Sequence, residues 1–407
     1  MAKTLKDRIQ KTGIQNLFYI THINNIVSIL EKGILSHESV ENNQLKPITI
    51  YNSQIVDNRS RRIVCEGKSL WKFANLYFQP RNAMLYSIIK NCPIYEIVII
   101  SIKPDILHEQ NIWIATGNAA HNDSEIIPID EAVKILGQIK KETNKEWWSN
   151  EDGSKRKIMA ECLVPDKILP SYIQTIYVPC EKANEYLRKT LKATNYNKVS
   201  IVVEPNKFFQ PEWIQRLTEK MSLVRGDMFF SNMQTLTVSV NCVGVMGKGL
   251  ASTAKYRFPD VYVRYQQVCK NKNLQIGKPY LYKRESSLEE QLGDYTFWHP
   301  QDVMDNDKKW FLLFPTKNHW KNNSKIEDIK NGLEWLINNY RKEGIKSLAI
   351  PALGCGLGGL DWQDVGPLMC KYLNSMEITV AIYLPAERKL DEYLTSKKFL
   401  LSQVVDF

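Results

Sequence analysis

The sequence predicts an α+β domain followed by an α/β domain. Three observations carry this reading. The chain has 407 residues, and domains commonly hold roughly 100–200 each, so two are expected. The first half holds short strand-like runs rich in Ile, Val and Tyr with few helical patterns, as in an α+β domain. The second half alternates strand, glycine loop and helix, the pattern of a parallel sheet whose ligand loops sit at the C-terminal ends of strands.

Leu17-Phe18-Tyr19-Ile20 reads as a short strand. Asn24 or Asn25 caps a helix over 26–31, and Gly33 ends it. Strand-like runs recur at 48–51, 94–102, 112–115, 158–164 and 172–178, with helices at 130–142 and 181–192. The composition then shifts. ATNYNK is polar, VSIVV is a last strand, and EPNKFFQPEW holds two prolines. The first domain is therefore set at 1–209, a linker at 210–220 and the second domain at 221–407. In that second domain Leu236–Val240, Phe311–Phe314, Ser347–Pro351 and Ile378–Leu384 read as strands. Ile326–Gly344 and Val365–Leu373 read as helices, the first with an apolar stripe of Ile329, Leu333, Leu336 and Ile337. The two halves share no repeat.

Hydrophobic residues make up 43% and charged residues 24%, which is globular composition. The formal charge of +10 is too mild over this length to name a polyanionic partner, and a solvated basic surface explains it equally well. None of the eight cysteines forms a CxxC pair or sits beside a histidine. They read as reduced thiols, which excludes a zinc finger, and the scattered histidines give no metal site. The longest apolar runs, such as Ile97–Ile102, are far too short for a membrane span. The polar opening MAKTLKDRIQKTG is not a targeting segment, so a cytoplasmic protein is expected.

Two glycine clusters stand at strand ends in the second half, Asn241-Cys-Val-Gly-Val-Met-Gly-Lys-Gly-Leu-Ala251 and Gly354-Cys-Gly-Leu-Gly-Gly359. Glycine lets backbone N–H groups approach a diphosphate, and a following helix N-terminus adds positive potential. Neither cluster is a GxxxxGK[ST] loop or a Rossmann fingerprint, so an NTPase is not expected. With Gly226-Asp227-Met228-Phe229, FPTKNHW and IPALGCGLGGLDW, the region 221–390 resembles the DarG-type macrodomains, three-layer α/β/α folds that hold ADP-ribose and remove it from DNA. The resemblance implies that Asp227 accepts from the adenine amino group and Asn241 lies by the distal ribose. It also implies that Val245, Met246, Gly247, Lys248 and Gly249, with Thr316 and the loop Gly354, Cys355, Gly356, Leu357 and Gly358, wrap the diphosphate and ribose. Lys317 matches the lysine credited with cleavage, by attack at the anomeric carbon. A lysine desolvated in a cleft can lose its proton and serve as a nucleophile; taken without the motif, it reads as a solvated strand-end lysine. Related eukaryotic hydrolases carry an aspartate at Gly358, so no carboxylate is available there.

Residues 58–90 carry seven basic side chains (Arg59, Arg61, Arg62, Lys68, Lys72, Arg81, Lys90) against the single acid Glu66. Trp71, Phe73, Tyr77, Phe78 and Tyr86 are interleaved. Cations that track phosphates and rings that stack on bases suit single-stranded nucleic acid; composition alone equally allows these rings to be core. The order of motifs adds information. YITHINNIVSILEKG, NRSRRIV, YFQPRNAMLY, TGNAAH and MAECLVPDK resemble the DarT toxins over about 8–209. These are ADP-ribosyltransferases that use NAD+ to modify a base in single-stranded DNA.

The resemblance makes Glu161 the transferase carboxylate, placed to hold the nicotinamide-ribose 2′-hydroxyl and stabilise an oxocarbenium-like transition state. It implies an NAD+ site with Tyr19, Thr21, His22, Asn24, Arg59, Tyr86 and His121. Arg59 is taken as the arginine that activates the base, with Arg61 and Arg62 as rivals because NRSRR aligns in more than one register. Arg61, Arg62, Arg81, Met84, Lys155 and Arg156 are the DNA-contact candidates, and phosphate contact carries no base choice. Trp147 and Trp148 join that basic run as a candidate substrate loop. The YFxPRxxMLY match points to thymidine as the target, with guanosine as the alternative. The whole implies a toxin and antitoxin in one chain, the second half erasing what the first writes and also blocking it by intramolecular contact. The alternatives are a non-hydrolytic ADP-ribose reader in the second half and a degenerate transferase that only binds nucleic acid.

Overall fold

The computed structural model describes residues 4–50, 59–65, 67–293, 308–385 and 390–402. The chain divides into two compact units, one of 1–210 with 289–303 and one of 211–288 with 304–407. The packing of 289–293 with the first unit has no counterpart in the sequence reading.

The first unit is built on an eight-stranded sheet in the order 200–203, 173–178, 97–102, 17–22, 73–77, 161–165, 113–115, 126–128. Every pair is antiparallel except the outermost, Ile173–Val178 with Ser200–Val203. Ile97–Ile102 is buried at all six positions, which is why its sequence is apolar on both faces, Ser101 apart, rather than an alternation. The helix Ile26–Lys32 ends at Gly33, whose φ of 91° favours glycine; a Cβ there would also lie 2.2 Å from the Ile168 carbonyl oxygen.

Two expectations change. Residues 48–50 are not a strand, and residue 51 lies outside the described residues. The Asn25 side chain instead pairs with Ile48, donating to its carbonyl at 2.8 Å and accepting from its N–H at 2.9 Å. The helix expected over 130–142 breaks into Ile129–Ala132 and Leu136–Thr143, with β-branched Val133 and Ile135 at the break. Ile129, Leu136 and Ile139 bury in one core across the split.

The second unit is a seven-stranded sheet in the order 213–216, 221–225, 379–383, 347–351, 235–241, 310–317, 280–282. Its inner pairs are parallel and its two edge pairs antiparallel. Strand Trp213–Arg216 occupies part of the segment set down as a linker, so 210–220 contributes to the sheet. On one face the helices Ile326–Glu343 and Trp362–Leu373 bury Leu333, Leu336, Val365 and Met369 against Leu312, Phe314 and Ile350. On the other, Phe311 meets Phe258 at 4.7 Å between ring centres, beside the helix Pro259–Lys270. Alternate residues of one strand thus serve two helix layers, which makes the unit a three-layer α/β/α fold.

Candidate functional site

In the first unit, strand Glu161–Pro165 lies between 73–77 and 113–115, with Glu161 opposite both Tyr77 and Ala115. Alternation sends Cys162 into the main core and leaves Glu161 on the other face, with a small cluster of Leu70, Phe73, Ala115, Ala119 and Leu163. Glu161 is 1% exposed. Arg59 Nη2 donates to its Oε2 at 2.9 Å, and the Ala119 backbone N–H donates to Oε1 at 2.8 Å. A buried carboxylate needs such partners, and with four lone-pair sites it keeps room for a ligand hydroxyl. Ala119 N–H is a site group that sequence reasoning missed, because a backbone donor leaves no residue signature.

The loop carrying Ala119 is itself held. Arg62 Nη1 donates to the Ala120 carbonyl at 2.7 Å and to Asn122 Oδ1 at 3.0 Å. Asn118 Oδ1 accepts from Ala120 N–H, and Asn118 N–H donates to the Arg156 carbonyl. Arg156 Nη1 reaches Ser124 Oγ at 3.1 Å. His121 sits on this loop, exposed, and its Nδ1 accepts from Asp123 N–H. Arg61 is exposed, and its side chain has no hydrogen bond or ion pair among the described residues. Lys155 is buried.

His37 lies close by. It stacks on Trp71 with 4.2 Å between ring centres, and burial, with the nearby Arg59 charge, pushes its imidazole down to about 4. Nothing in the motifs pointed to this pair.

The remaining first-unit candidates fall in two other places. Tyr19 and Thr21 share one face of strand Leu17–His22, where Thr21 Oγ1 accepts from Asn25 Nδ2. His22 caps the following turn by accepting Asn24 N–H at Nδ1, and its Nε2 lies 3.3 Å from Glu96 Oε2. His22 and Asn24 line a cleft with Tyr95, Glu96, Lys182 and Tyr186, and Tyr186 donates to Asn24 Oδ1. Met84 and Tyr86 are both buried on the helix Ala83–Asn91. Tyr77 donates to Met84 Sδ, and Tyr86 meets Phe209 edge-on. Arg81 lies over the Phe209 ring and donates to Asn206 Oδ1 at 2.8 Å. Trp148 is 1% exposed and donates its indole N–H to the Leu292 carbonyl.

In the second unit the strand ends converge. Asn241 and Lys317 are register partners at the C-terminal ends of neighbouring parallel strands. Asn241 is tied to its loop and to the helix Pro259–Lys270. Its amide donates to the Val245 carbonyl at 2.6 Å, and its Oδ1 accepts from Val243 N–H and from Tyr265. Val245 is exposed and Met246 buried, while Gly247, Lys248 and Gly249 are exposed at the start of the helix Gly249–Arg257. Lys317 Nζ donates to the Leu357 carbonyl at 2.8 Å, tying the lysine to the second glycine loop. Partial burial lowers its affinity for a proton. Thr316, before it, is buried.

In the second loop Gly354 has φ of 74°, a conformation that favours glycine. Cys355 is buried, whereas Gly356 and Leu357 are exposed. Gly358 is glycine for lack of space. A Cβ there would sit 2.5 Å from the Gly354 carbonyl oxygen and 2.5 Å from Ser324 Oγ. Asp227 accepts from Phe229 N–H at Oδ1 and pairs with Arg257 at Oδ2, 2.5 Å away. Among the described residues no group of His, Cys, Asp and Glu is arranged to hold a metal.

Comparison with known proteins bears on both units at once. A family model described as ssDNA thymidine ADP-ribosyltransferase, DarT, matches residues 18–209, and the macro domain model matches 303–369. A "DNA ADP-ribosyl transferase-DNA ADP-ribosyl glycohydrolase fusion protein" from Thermosipho africanus is 52% identical over 389 residues, covering 95% of this chain and 98% of that protein. The chain belongs to the DarT–DarG fusion family. The solved structure titled "Thermosipho africanus DarTG in complex with ADP-ribose" superposes with a TM-score of 0.87 at 51% identity, covering 95% of this chain and all of that one. A "DNA ADP-ribosyl glycohydrolase" of Mycobacterium tuberculosis is 35% identical over 166 residues, covering 40% of this chain and 41% of that protein. Both resemblances of the DarT–DarG reading, and the α+β then α/β/α order, thus hold. No helix among the described residues is long and apolar enough to cross a membrane.

Proposed function

We propose that the first unit transfers ADP-ribose from NAD+ to a thymidine base of single-stranded DNA, and that the second unit removes it, in the cytoplasm. The observation that carries the writing step is the Glu161 carboxylate, buried and held from two sides by Arg59 and the Ala119 N–H.

In the writing step the bond between nicotinamide and the ribose anomeric carbon breaks, and nicotinamide leaves with the bonding pair. Glu161 accepts the ribose 2′-hydroxyl and stabilises the positive charge that develops on the sugar. A thymine ring nitrogen then bonds to the anomeric carbon and gives up its proton to solvent water. Arg59 fixes Glu161 and presents a cation at the edge of the base. Exposed Arg61 tracks a phosphate. The family model's own description supports thymidine over guanosine.

In the erasing step Asp227 and Asn241 flank the ADP-ribose, and the two glycine loops offer backbone N–H groups to the diphosphate. The Lys317 amine bonds to the anomeric carbon, the bond to the base breaks, and the base recovers a proton. Water then displaces the amine and frees ADP-ribose. Burial that favours the neutral amine suits this role. Fusion holds writer and eraser in equal number, at an effective concentration of ~mM.

Radiolabelled NAD+ and a panel of single-stranded oligonucleotides test the reading. Label should enter thymidine-containing strands with the Lys317→Ala chain and should be lost with Glu161→Gln. Modified oligonucleotide added to the wild-type chain should release free ADP-ribose; if it is bound and never released, the second unit is a reader.

A further inference from the structure

Arg59 and Arg62 stand three residues apart in a stretch that sequence alone reads as a basic patch. Their side chains do different work. Arg59 holds the Glu161 carboxylate directly. Arg62 crosses to the loop 116–124, where one guanidinium nitrogen serves both the Ala120 carbonyl and Asn122 Oδ1. The residue before Ala120 supplies the N–H that meets Glu161 Oε1. Asn118, on the other side of Ala119, is fixed through its own N–H to the Arg156 carbonyl and through Oδ1 to Ala120 N–H. The short backbone from 118 to 120 is therefore pinned on both sides of the backbone N–H that meets Glu161 Oε1.

We propose that Arg62 is a positioning residue of the transferase site, acting on Glu161 through the loop. By holding the Ala120 carbonyl and the Asn122 side chain it keeps the Ala119 N–H aimed at Oε1. This rests on the reading of Glu161 as the transferase carboxylate. It differs from a phosphate contact in that both protons of Nη1 go to a carbonyl and an amide oxygen of the loop rather than to a ligand. Burial also lowers the proton affinity of Arg62, and both Arg59 and Glu161 act on it electrostatically, as expected for a cation beside the pair.

The test uses the full chain carrying Lys317→Ala, so that product accumulates, with Arg62→Ala, Arg62→Lys and Asn122→Ala added singly. Steady-state transfer from NAD+ is measured at saturating oligonucleotide. The oligonucleotide Kd is measured separately across a salt series. Arg62→Ala should lower kcat at least about tenfold while Kd changes less than about twofold and the salt slope is unchanged. Arg62→Lys, which can still reach the Ala120 carbonyl, should recover part of kcat, and Asn122→Ala should cost less than Arg62→Ala. The result that overturns the proposal is unchanged kcat with weaker oligonucleotide binding and a salt slope smaller by about 1, the behaviour of a lost phosphate contact.

A readout independent of turnover separates this proposal from the functional reading. In a chain labelled with 15N-alanine, the Ala119 amide proton should resonate downfield as a charge-assisted donor. It should move upfield in Glu161→Gln and in Arg62→Ala, with the other alanine amides of the first unit in place. An Ala119 resonance that ignores Arg62→Ala sinks the positioning role even if transfer is normal. One that shifts while the parent chain transfers nothing to DNA upholds the role and sinks the functional reading instead.

Discussion

Arg59 and Glu161 lie 102 positions apart in sequence and meet in the interior of the first unit, Nη2 to Oε2 at 2.9 Å, with 9% and 1% of their surfaces exposed. Each makes the other's burial tolerable, and the glutamate also accepts from the Ala119 backbone N–H.

Removing one partner should therefore hurt stability as well as activity. Arg59→Ala leaves a buried carboxylate short of its cation, a change that typically costs about 3–5 kcal/mol. At roughly 2–4 °C per kcal/mol for a unit of this size, calorimetry should resolve the first unit's transition moving down. Glu161→Gln keeps the shape and should spare more of that stability, while transfer falls roughly 100–1000-fold, as for a lost transition-state stabiliser.

His37 gives the first unit an acid-sensitive component. Its folded value of about 4 lies below the ordinary 6.5. A depressed histidine is neutral in the fold, and the unfolded chain binds the proton first. The stabilising contribution is thus complete above about 6.5 and is lost as pH falls toward about 4. Melting curves between these values should decline with pH, and His37→Gln should flatten the decline relative to the parent. A parallel decline in both chains would remove His37 from the account.

Lys317 sets a pH limb on erasure. Burial favours its neutral amine, so the limb should lie below the usual lysine range. The rate of ADP-ribose release should rise with pH through it and then level. Lys317→Arg, which stays protonated, should abolish release while leaving ADP-ribose binding within about threefold in a calorimetric titration.

Gly358 should tolerate no side chain. A Cβ would press on the Gly354 carbonyl and Ser324 Oγ, both at 2.5 Å, and overpacking of this kind costs about 1–3 kcal/mol. Gly358→Ala should weaken ADP-ribose binding. Gly358→Asp should not restore release to Lys317→Ala, because the carboxylate cannot be seated without moving the loop; restored release would show that the loop yields.

The most legible parts of the sequence were those that use side-chain identity. The largely apolar run Ile97–Ile102 marked a strand, and Gly33 marked a helix end. The glycine clusters marked two loops at parallel strand ends, and FPTKNHW brought Lys317 to one of them. What escaped depends on partners distant in sequence. The Ala119 N–H is anonymous in sequence, and Arg62 looked like its neighbours until its acceptors were seen. His37 and Trp71 form a pair only after folding. The edge strand Trp213–Arg216 was hidden in a proline-containing stretch taken for a linker, because an edge strand needs less apolar alternation than a central one.

The most direct test of the central claim is mass spectrometry of a thymidine-containing single-stranded oligonucleotide incubated with NAD+ and the full chain. With Lys317→Ala the oligonucleotide should gain ADP-ribose units and retain them. Adding wild-type chain should return it to its starting mass with free ADP-ribose in solution, and Glu161→Gln should never alter it. An oligonucleotide that stays unmodified by Lys317→Ala, or modified after wild-type chain is added, would contradict the account of one chain that both writes and erases.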